Sequence, residues 1–426
     1  MKTKNLYLLL SVTLFALTSC KDSVTEKVTY KINEPVYMSA EKFRSSVKVS
    51  ADAREISNPG KICYYEGYLY ISEPGTGIHI IDNRVPSNPQ NVGFIELVGN
   101  ADLAIRNNIL YADSYIDLVW FNVSNPAQPS LSGRLENIFP KALPAIENNY
   151  GFDYEMCYGT ARQEGVIVGW ELKERTDDIE HYTGGWFFNW GSKDGDIANL
   201  NTSSGNSSNS VNGSMSRFTI YADHLYTVSE YYMTIFDLSG TEPLKATESI
   251  PIGWNVETIF SYRDNMFLGT PTGMLIYSVS DPLKPVYQSS LLHVFGCDPV
   301  VVDNDLAYIT IHSGDMCGQT NNELLIVDVS NVKNPKQLAS HKMTNPKGLG
   351  IDKGMLFVCD DGLKVYKITT PDSLMDNRLQ HYTGMSGFDL IPFGNVLMMI
   401  ADDGLYQYDY SNIANIKLIS KLVFKK

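Results

Sequence analysis

Aromatic side chains are the most concentrated chemical feature of this 426-residue sequence. Five of them lie within nine residues of the Gly-flanked stretch HYTGGWFFNWG at 181–191. Aromatic rings in such a loop can stack on sugar rings or form the energetic centre of a protein interface. They can equally form a small apolar core that seats this part of the chain on the rest of the fold. The candidate binding residues are Tyr182, Trp186, Phe187, Phe188, Trp190 and Trp254.

Local catalytic and metal-binding signatures are absent from the sequence. It contains no G-x-S-x-G, H-E-x-x-H, G-x-x-x-x-G-K or C-x-x-C string and no D-x-D-x-D-G calcium loop. The seven His are scattered, and only His293 and His312 are expected near one loop. We therefore predict no metal and no cofactor. Catalytic groups drawn from several repeats would escape such a search, so an enzyme remains an alternative.

The first 19 residues have the features of a secretory signal peptide. Lys2 and Lys4 precede a mostly apolar run at 6–17, which is too short to span a bilayer. The string LTSC at 17–20 resembles the lipobox of bacterial lipoproteins, which implies acylation of Cys20 and a lipid anchor. Lys21 follows this Cys, and by the usual sorting convention it favours the outer membrane, with the side of that membrane left open. We assign 1–19 to the signal peptide and 20–40 to the lipidated Cys and a polar tether.

The net charge argues against one class of partner. The chain carries a formal charge of −14, and this becomes −16 when 1–19 are removed. Such acidity argues against nucleic-acid binding through a basic surface. After the first run, no segment reaches 18 consecutive apolar residues. We therefore expect attachment to a membrane only through the N-terminal lipid.

One strand pattern recurs along the chain. The stretch MLFVCDDGLKVYKI at 355–368 pairs an apolar run, an Asp-Gly turn and a second run, which predicts a hairpin. Seven such units begin at 69, 110, 225, 266, 307, 356 and 397. Most are followed by a Pro-containing turn and a further short strand. A period near 41 residues with four short strands predicts an all-β, seven-bladed β-propeller of four-stranded antiparallel blades, with a β-sandwich as the alternative.

The second strand of each unit resembles a known repeat. The strings ELLIVDVS at 323–330 and GIHIIDNR at 77–84, each followed by a Pro-containing turn, are similar to the LVIVD repeat of secreted bacterial proteins. The resemblance implies a propeller and a site outside the cytoplasm, and it supplies no catalytic residue. Blades 1 and 2 are assigned to 41–136 and blades 3–7 to 215–426. The strand-like stretch at 45–51 is expected to pair with the last blade and close the ring.

Two insertions interrupt the period. About 74 extra residues enter between blades 2 and 3, and we assign this large inter-blade insertion to 137–214, with a flexible Ser/Asn-rich loop at 199–214. A shorter insertion expands the loop at 313–322. If the strands of a blade alternate in direction, both insertions lie on the same face of the ring. Long insertions on one face favour a binding surface there, although the larger one could instead brace the ring.

The same topology places further reactive groups on that face. Cys297 and Cys317 would lie on one blade, so we predict a disulfide between them. Cys63 and Cys359 are expected to be buried and reduced, and Cys157 has no evident partner. Nine carboxylates in turns could attract a cation or a basic partner, or they could simply stabilise the turns. These are Glu73, Asp113, Asp117, Glu230, Asp315, Asp360, Asp361, Asp402 and Asp403.

The sequence thus predicts a lipid-anchored β-propeller of the cell envelope. We expect a non-catalytic binding or scaffolding module whose partner is an envelope protein or a glycan. One alternative is a propeller hydrolase or lyase that acts on an envelope or dietary polymer in the central funnel. A cluster of carboxylate, His and Arg from different blades would favour that enzyme. A purely structural role in an envelope complex is a further alternative.

Overall fold

A computed structural model describes residues 23–50, 52–146, 148–182, 210–229, 231–240, 242–245, 248–253, 256–292, 299–312 and 322–425. The chain forms two compact units. The larger unit holds residues 37–145, 164–168 and the described part of 196–426, and it contains all the propeller blades. The smaller unit draws its described residues from 23–36, 146–163 and 169–182.

The N-terminal half contains two blades and the start of the insertion. Its elements are β1 (Ser23–Met38), α1 (Ala40–Ser45), β2 (Lys48–Ser50), β3 (Ile62–Tyr65), β4 (Tyr68–Glu73), β5 (Gly77–Asp82), β6 (Gln90–Glu96), β7 (Leu103–Arg106), β8 (Ile109–Ser114), β9 (Asp117–Asn122), β10 (Ser130–Leu135), α2 (Tyr154–Tyr158), β11 (Val166–Tyr182) and β12 (Val211–Asn212). Strands β3–β6 form blade 1 and β7–β10 form blade 2. Among the described residues, neither α-helix is long enough to cross a membrane.

Five further blades follow the insertion. Their strands are β13 (Phe218–Tyr221), β14 (His224–Ser229), β15 (Tyr232–Asp237), β16 (Leu244–Lys245), β17 (Ile250–Pro251), β18 (Thr258–Tyr262), β19 (Asn265–Thr270), β20 (Gly273–Ser278), β21 (Val286–Leu292), β22 (Val300–Asp303), β23 (Leu306–Ile311), β24 (Glu323–Asp328), β25 (Lys336–Lys342), β26 (Leu349–Asp352), β27 (Met355–Cys359), β28 (Leu363–Lys367), β29 (Arg378–Tyr382), β30 (Gly387–Phe393), β31 (Val396–Ala401), β32 (Gly404–Asp409) and β33 (Lys417–Val423). A 3₁₀-helix (Pro371–Asn377) precedes β29. Blade 3 is β13–β17, and blades 4 to 7 take four strands each in order. The predicted all-β, seven-bladed architecture is confirmed.

The strands of each blade are lettered a to d from the innermost to the outermost. In every blade the residue after strand c donates its backbone N–H to a carbonyl of the a–b turn, over 2.8–2.9 Å, as in Val329 to Asp305. The Asp that ends the repeat string forms an Asx turn: Asp328 Oδ1 accepts the N–H of Ser330 at 2.9 Å. Equivalent bonds end strand c at Asp237 and Asp409. The repeat motif is therefore a local turn that orients strand d.

Apolar side chains fill the spaces between blades. Strands b and c are buried almost throughout, because a neighbouring blade covers each face. Separate hydrophobic clusters join blades 1 and 2, 2 and 3, 3 and 4, 6 and 7, and 7 and 1, and one larger cluster joins blades 4, 5 and 6. This continuous packing explains why the inner strands read as unbroken apolar runs.

The ring closes differently from the sequence prediction. The stretch predicted to pair with the last blade instead forms β2, which pairs antiparallel with β6 and extends blade 1 at its outer edge. Val49 of β2 lies opposite Ile95 of blade 1. The closure prediction was wrong because a short strand carries no information about which free edge it meets, and here it meets the outer edge of blade 1. Blade 7 is built wholly from its own strands β30–β33.

Blades 7 and 1 meet through side chains and the C-terminal end of the chain. The amides of Asn83 and Gln407 exchange two hydrogen bonds, of 2.9 and 2.7 Å, and both residues are buried. The Lys425 N–H donates to the Ile56 carbonyl at 2.8 Å. An apolar cluster that includes Ile71 and Ile400 packs between the two blades. No strand is shared across this junction among the described residues.

The smaller unit is a two-stranded ribbon with a short helix. Strand β1 pairs with β11, so residues 23–38, assigned to a tether by the sequence analysis, are extended and paired here. Arg175 of β11 forms ion pairs with Glu34 at 2.8 Å and with Asp153 at 2.7 Å. Asp153 also caps helix α2 by accepting the Met156 N–H. The unit is thus held by charge-assisted bonds around one guanidinium.

Candidate functional site

The central axis of the propeller is occupied by part of the chain itself. Residues 210–217 are called here the axial segment and end directly before strand a of blade 3. Residues 210–214 belong to the predicted insertion and to its predicted flexible loop, and here they are bonded to the blades. The Ser210 N–H donates to Ile105 of blade 2, β12 pairs with β3 of blade 1, and the Ser216 carbonyl accepts the Ile259 N–H of blade 4. Because the innermost strands of a propeller surround its axis, a segment bonded to several of them lies along that axis.

Two buried aspartates hold this segment. Asp389 of blade 7 accepts the Ser214 N–H at 2.9 Å, and Ser214 Oγ accepts the Leu349 N–H of blade 6 at 2.8 Å. Asp102 of blade 2 accepts the Ser216 hydroxyl at 2.6 Å and the backbone N–H of Arg217 at 2.6 Å. Both carboxylates are fully buried. The two serines of the string Ser-Met-Ser therefore connect opposite parts of the ring.

Each aspartate also fixes its own backbone. Asp102 Oδ1 accepts the Leu103 N–H at 2.7 Å, and Asp389 Oδ1 accepts the Leu390 N–H at 2.9 Å. The approach is close: a Cβ on Gly213 would lie 2.0 Å from an Asp389 oxygen. Only glycine fits at that position of the axial segment.

Burial controls the ionisation of this cluster. Lys61 of blade 1 is buried, and its Nζ lies 3.6 Å from Asp102 Oδ2. Removal from water lowers the pKa of Lys61 to about 7. Burial likewise raises the pKa of Asp389 to about 7, although its backbone hydrogen bonds act in the opposite direction. The site can hold or release protons near neutrality, and its carboxylate oxygens are already engaged by the chain.

The carboxylates of the b–c turns have a simpler arrangement. These turns and the starts of the innermost strands lie on one face of the ring. Asp113 Oδ1 accepts the N–H groups of Ala101 and Asp102 at 2.7 and 2.9 Å, and Asp360 Oδ1 accepts those of Thr344 and Asn345 at 3.0 and 2.6 Å.

Glu73 follows the same pattern with Asn58. Each of these three carboxylates binds the backbone that enters strand a of its own blade. Asp117 instead pairs with Arg44 and Arg134, and Glu230 and Asp315 lie outside the described residues. Within the described ranges, no group of three or more His, Cys, Asp or Glu residues could hold a metal ion.

The smaller unit contains aromatic side chains of its own. The rings of Phe152 and Trp170 lie 5.6 Å apart between centroids, and Phe152 also contacts Tyr158. The Tyr158 ring lies 5.3 Å from that of Tyr154, which is 63% exposed. Cys157 is buried in the same helix. The described part of the insertion thus has a cluster of aromatic rings in contact, of which Phe152, Tyr158 and Trp170 are half-buried.

The predicted binding residues are not tested by this structure. Trp186, Phe187, Phe188, Trp190 and Trp254 lie outside the described residues, and Tyr182 is described only as the last residue of β11. Cys20 and the predicted pair Cys297–Cys317 also lie outside them. These assignments stay predictions. The three described cysteines, Cys63, Cys157 and Cys359, are buried free thiols. The sequence analysis expected burial of Cys63 and Cys359 and found no partner for Cys157.

Sequence reasoning missed the axial cluster. Lys61, Asp102 and Asp389 belong to no motif. The hydrogen bonds that join the two aspartates to the axial segment connect residues more than 100 positions apart. One weak signal was present: an Asp directly before Leu at the start of an innermost strand occurs in both NADLAI and GFDLIP. In both strings a polar residue directly precedes an apolar innermost strand.

Comparison with known proteins agrees with the repeat and the fold. The LVIVD repeat model matches residues 56–98, 99–136 and 300–340, which cover blades 1, 2 and 5. This chain is a seven-bladed β-propeller that contains LVIVD repeats. The four other blades of the LVIVD-repeat propeller have the same strand order without a match to that model. Among curated proteins, none matches the sequence.

Solved structures resemble the LVIVD-repeat propeller only in architecture. A protein from Lactobacillus plantarum shares 12% identity, with a TM-score of 0.51 over 86% of this chain and 96% of that one. The designed protein Ika8 shares 9% identity over 88% of each chain with a TM-score of 0.47. Kluyveromyces lactis Hsv2 shares 10% identity over 86% and 99% of the two chains with a TM-score of 0.46. At these identities the similarity concerns the fold alone.

Proposed function

We propose that this propeller is a non-catalytic binding or scaffolding module of the cell envelope, anchored through lipid on Cys20. The observation that carries the proposal is the axial segment. Asp102 and Asp389 would be the obvious acids of a funnel enzyme, but both are buried and bonded to Ser216 and Ser214. A polymer would have to displace residues 210–217 to reach them, which favours binding through the outer surfaces of the molecule.

The insertion is the proposed partner surface. Its described part places the half-buried rings of Phe152, Tyr158 and Trp170 in contact. The aromatic stretch at 182–190 belongs to the same insertion, and its composition suits a platform for an envelope protein or a glycan. Aromatic anchors of this kind contribute most of the free energy of many interfaces.

The test compares two pairs of aromatic residues. The full chain is used to capture partners from cross-linked envelopes, alongside Trp186→Ala/Trp190→Ala and the control Trp170→Ala. We expect the first variant to lose capture while its melting temperature stays unchanged. We expect Trp170→Ala to lower the melting temperature, because it removes a ring packed on Phe152. Unfolding of the first variant, or capture equal to that of the unaltered chain, would reject the platform.

A second assay addresses the enzyme alternative. The full chain is incubated with envelope and dietary polysaccharides, and released sugars are measured for the unaltered protein and for Asp102→Asn. Polymer cleavage that depends on Asp102 would replace the binding proposal with a funnel hydrolase or lyase.

The anchor itself is tested by Cys20→Ser, which is expected to move the protein from the membrane fraction to the soluble fraction.

A further inference from the structure

The outer edge of blade 4 differs from every other outer edge of comparable length. Strand β21, with the sequence VYQSSLL, contains no charged residue. The other d strands of at least five residues contain Lys or Arg, or are covered by β2. These are β10 (SLSGRL), β25 (KQLASHK), β29 (RLQHY) and β33 (KLISKLV), with β6 covered. Charged side chains, Lys above all, are the usual means of preventing a free edge strand from pairing with another chain.

The repeat allows a residue-by-residue comparison of these edges. Val286 pairs with Ser278, at the position where Lys336 pairs with Asp328 in blade 5. Leu292 pairs with Gly273, at the position where Lys342 pairs with Glu323. Blade 4 therefore has apolar residues at both positions where blade 5 has lysines.

The side chains along this edge are exposed. Val286 is 57% exposed, Tyr287 51% and Leu292 75%, and no other described strand pairs with the outer edge of β21. Three large apolar side chains along one unpaired edge are expensive to leave in water. The edge combines unpaired backbone groups with apolar side chains, which is the combination that favours addition of another strand.

The same molecule shows that such an edge accepts a strand. β2 pairs with Phe94, Ile95 and Glu96 of blade 1, beyond the β-bulge in the pairing of β5 with β6. The bulge recurs in blade 4 between Ile276 and Tyr277. The positions on β21 that correspond to the β2 site are Ser290, Leu291 and Leu292, and they pair regularly with β20. The bulge therefore does not prevent a strand from being added here.

We propose that β21 is a self-association edge, at which two copies of this chain pair their β21 strands antiparallel across a twofold axis. A second copy suits the edge because it brings another uncharged VYQSSLL strand, so no like charges meet in either register. That matters for a chain with a net charge of −14, whose copies repel one another elsewhere. Twofold pairing of one surface with itself is the commonest symmetry of homodimers.

The test introduces the lysines that blade 5 already carries. Sedimentation of the full chain, in a Cys20→Ser background that removes any lipid-mediated clustering, is compared with Val286→Lys/Leu292→Lys. Folding is expected to persist, because Lys occupies the equivalent positions 336 and 342. The matched control is Val423→Lys in blade 7, at the position equivalent to Leu292 and 70% exposed.

We expect a reversible dimer whose dissociation constant rises at least tenfold in the double-lysine variant and stays unchanged in Val423→Lys. Hydrogen exchange should show slower exchange of amides in 286–292 as the protein concentration rises. A monomer at all concentrations would overturn the proposal. So would a dimer that the two lysines leave unchanged, or protection that falls elsewhere.

Discussion

Aspartates occur in two regions of this propeller and perform opposite tasks. At the c–d turns, Asp237, Asp328 and Asp409 lie near solvent and accept hydrogen bonds from a serine two residues later. At the axis, Asp102 and Asp389 are buried and accept hydrogen bonds from serines of the axial segment. The first group forms turns inside one repeat, whereas the second joins blades that are distant in the chain.

Asp389 at the axis differs from the turn aspartates in the direction of its pKa shift. Hydrogen bonds from the hydroxyl and backbone N–H of the following serine lower the pKa of Asp237, Asp328 and Asp409. Burial instead raises the pKa of Asp389 to about 7. The same side chain is thus stabilised as an anion in one place and disfavoured as an anion in the other. At Asp389 the cause is burial, which a short motif does not encode.

The largest expected effect comes from removing an axial carboxylate. Asp102→Ala leaves the Ser216 hydroxyl and the Leu103 N–H without their acceptor, and it removes the carboxylate that lies 3.6 Å from the buried Lys61 Nζ. We expect a loss of roughly 3–5 kcal/mol in the free energy of unfolding, as for a broken buried ion pair. Urea unfolding followed by fluorescence measures it. The control Asp328→Ala should cause only a small fraction of that loss, and equal losses would show that the two regions do not differ.

The second prediction concerns pH. The folded pKa of Asp389, about 7, lies above the unfolded value, so its contribution to stability is complete below the unfolded pKa and is lost as the pH rises toward 7. Asp389→Asn keeps an acceptor for the Ser214 N–H but cannot ionise. We expect this variant to remove a decline on the order of a few kcal/mol between roughly pH 4 and 7. The measurement is the free energy of unfolding of both proteins across that pH range. The same dependence on pH in the variant and the unaltered protein would show that ionisation of Asp389 costs little in the folded state.

A third prediction tests a residue that lies in the repeat yet is buried. Asn83 follows the repeat aspartate of blade 1 and bonds Gln407 across the junction with blade 7. Asn83→Leu removes the donor to Gln407 Oε1, while Gln407 Nε2 keeps its bond to the Pro86 carbonyl at 3.0 Å. The buried oxygen without a donor has an expected cost of about 1–3 kcal/mol. Adding Gln407→Leu should recover part of that loss. A double-mutant cycle measures the coupling, and additive losses would show that the pair contributes nothing across the junction.

The smallest expected effect belongs to the turn aspartates. Their folded pKa values lie below the unfolded values, so their contribution exists above the unfolded pKa and disappears as the pH falls through the folded values. The triple variant Asp237→Ala/Asp328→Ala/Asp409→Ala should flatten the stability profile on the acid side of pH 4 only. A change in stability confined to neutral pH would contradict the conclusion that the pKa values of the turn aspartates are lowered while that of Asp389 is raised. Thermal unfolding at closely spaced pH values resolves the two ranges.

These regions also explain what the sequence could predict. The Asx turn at Asp328 and the hairpin at Asp361 and Gly362 are made by neighbours in the chain, so the repeat and the seven blades were visible without a structure. The contact between Ser214 and Asp389 spans 175 positions, and no local pattern records it. The stretch at 45–51 was placed on the wrong blade for the same reason: a short strand carries no information about which free edge it meets.

The junction between blades 7 and 1 has a consequence for the connectivity of the chain. Because the Lys425 N–H bonds the Ile56 carbonyl at 2.8 Å, the first and last residues of the ring are neighbours. The blade at which the chain enters the ring is then set by the order of the sequence and is not required by the fold. A circular permutant that links 425 to 56 and opens at a c–d turn, such as the one after Asp328, would retain every blade intact and place new termini on a solvent-exposed loop.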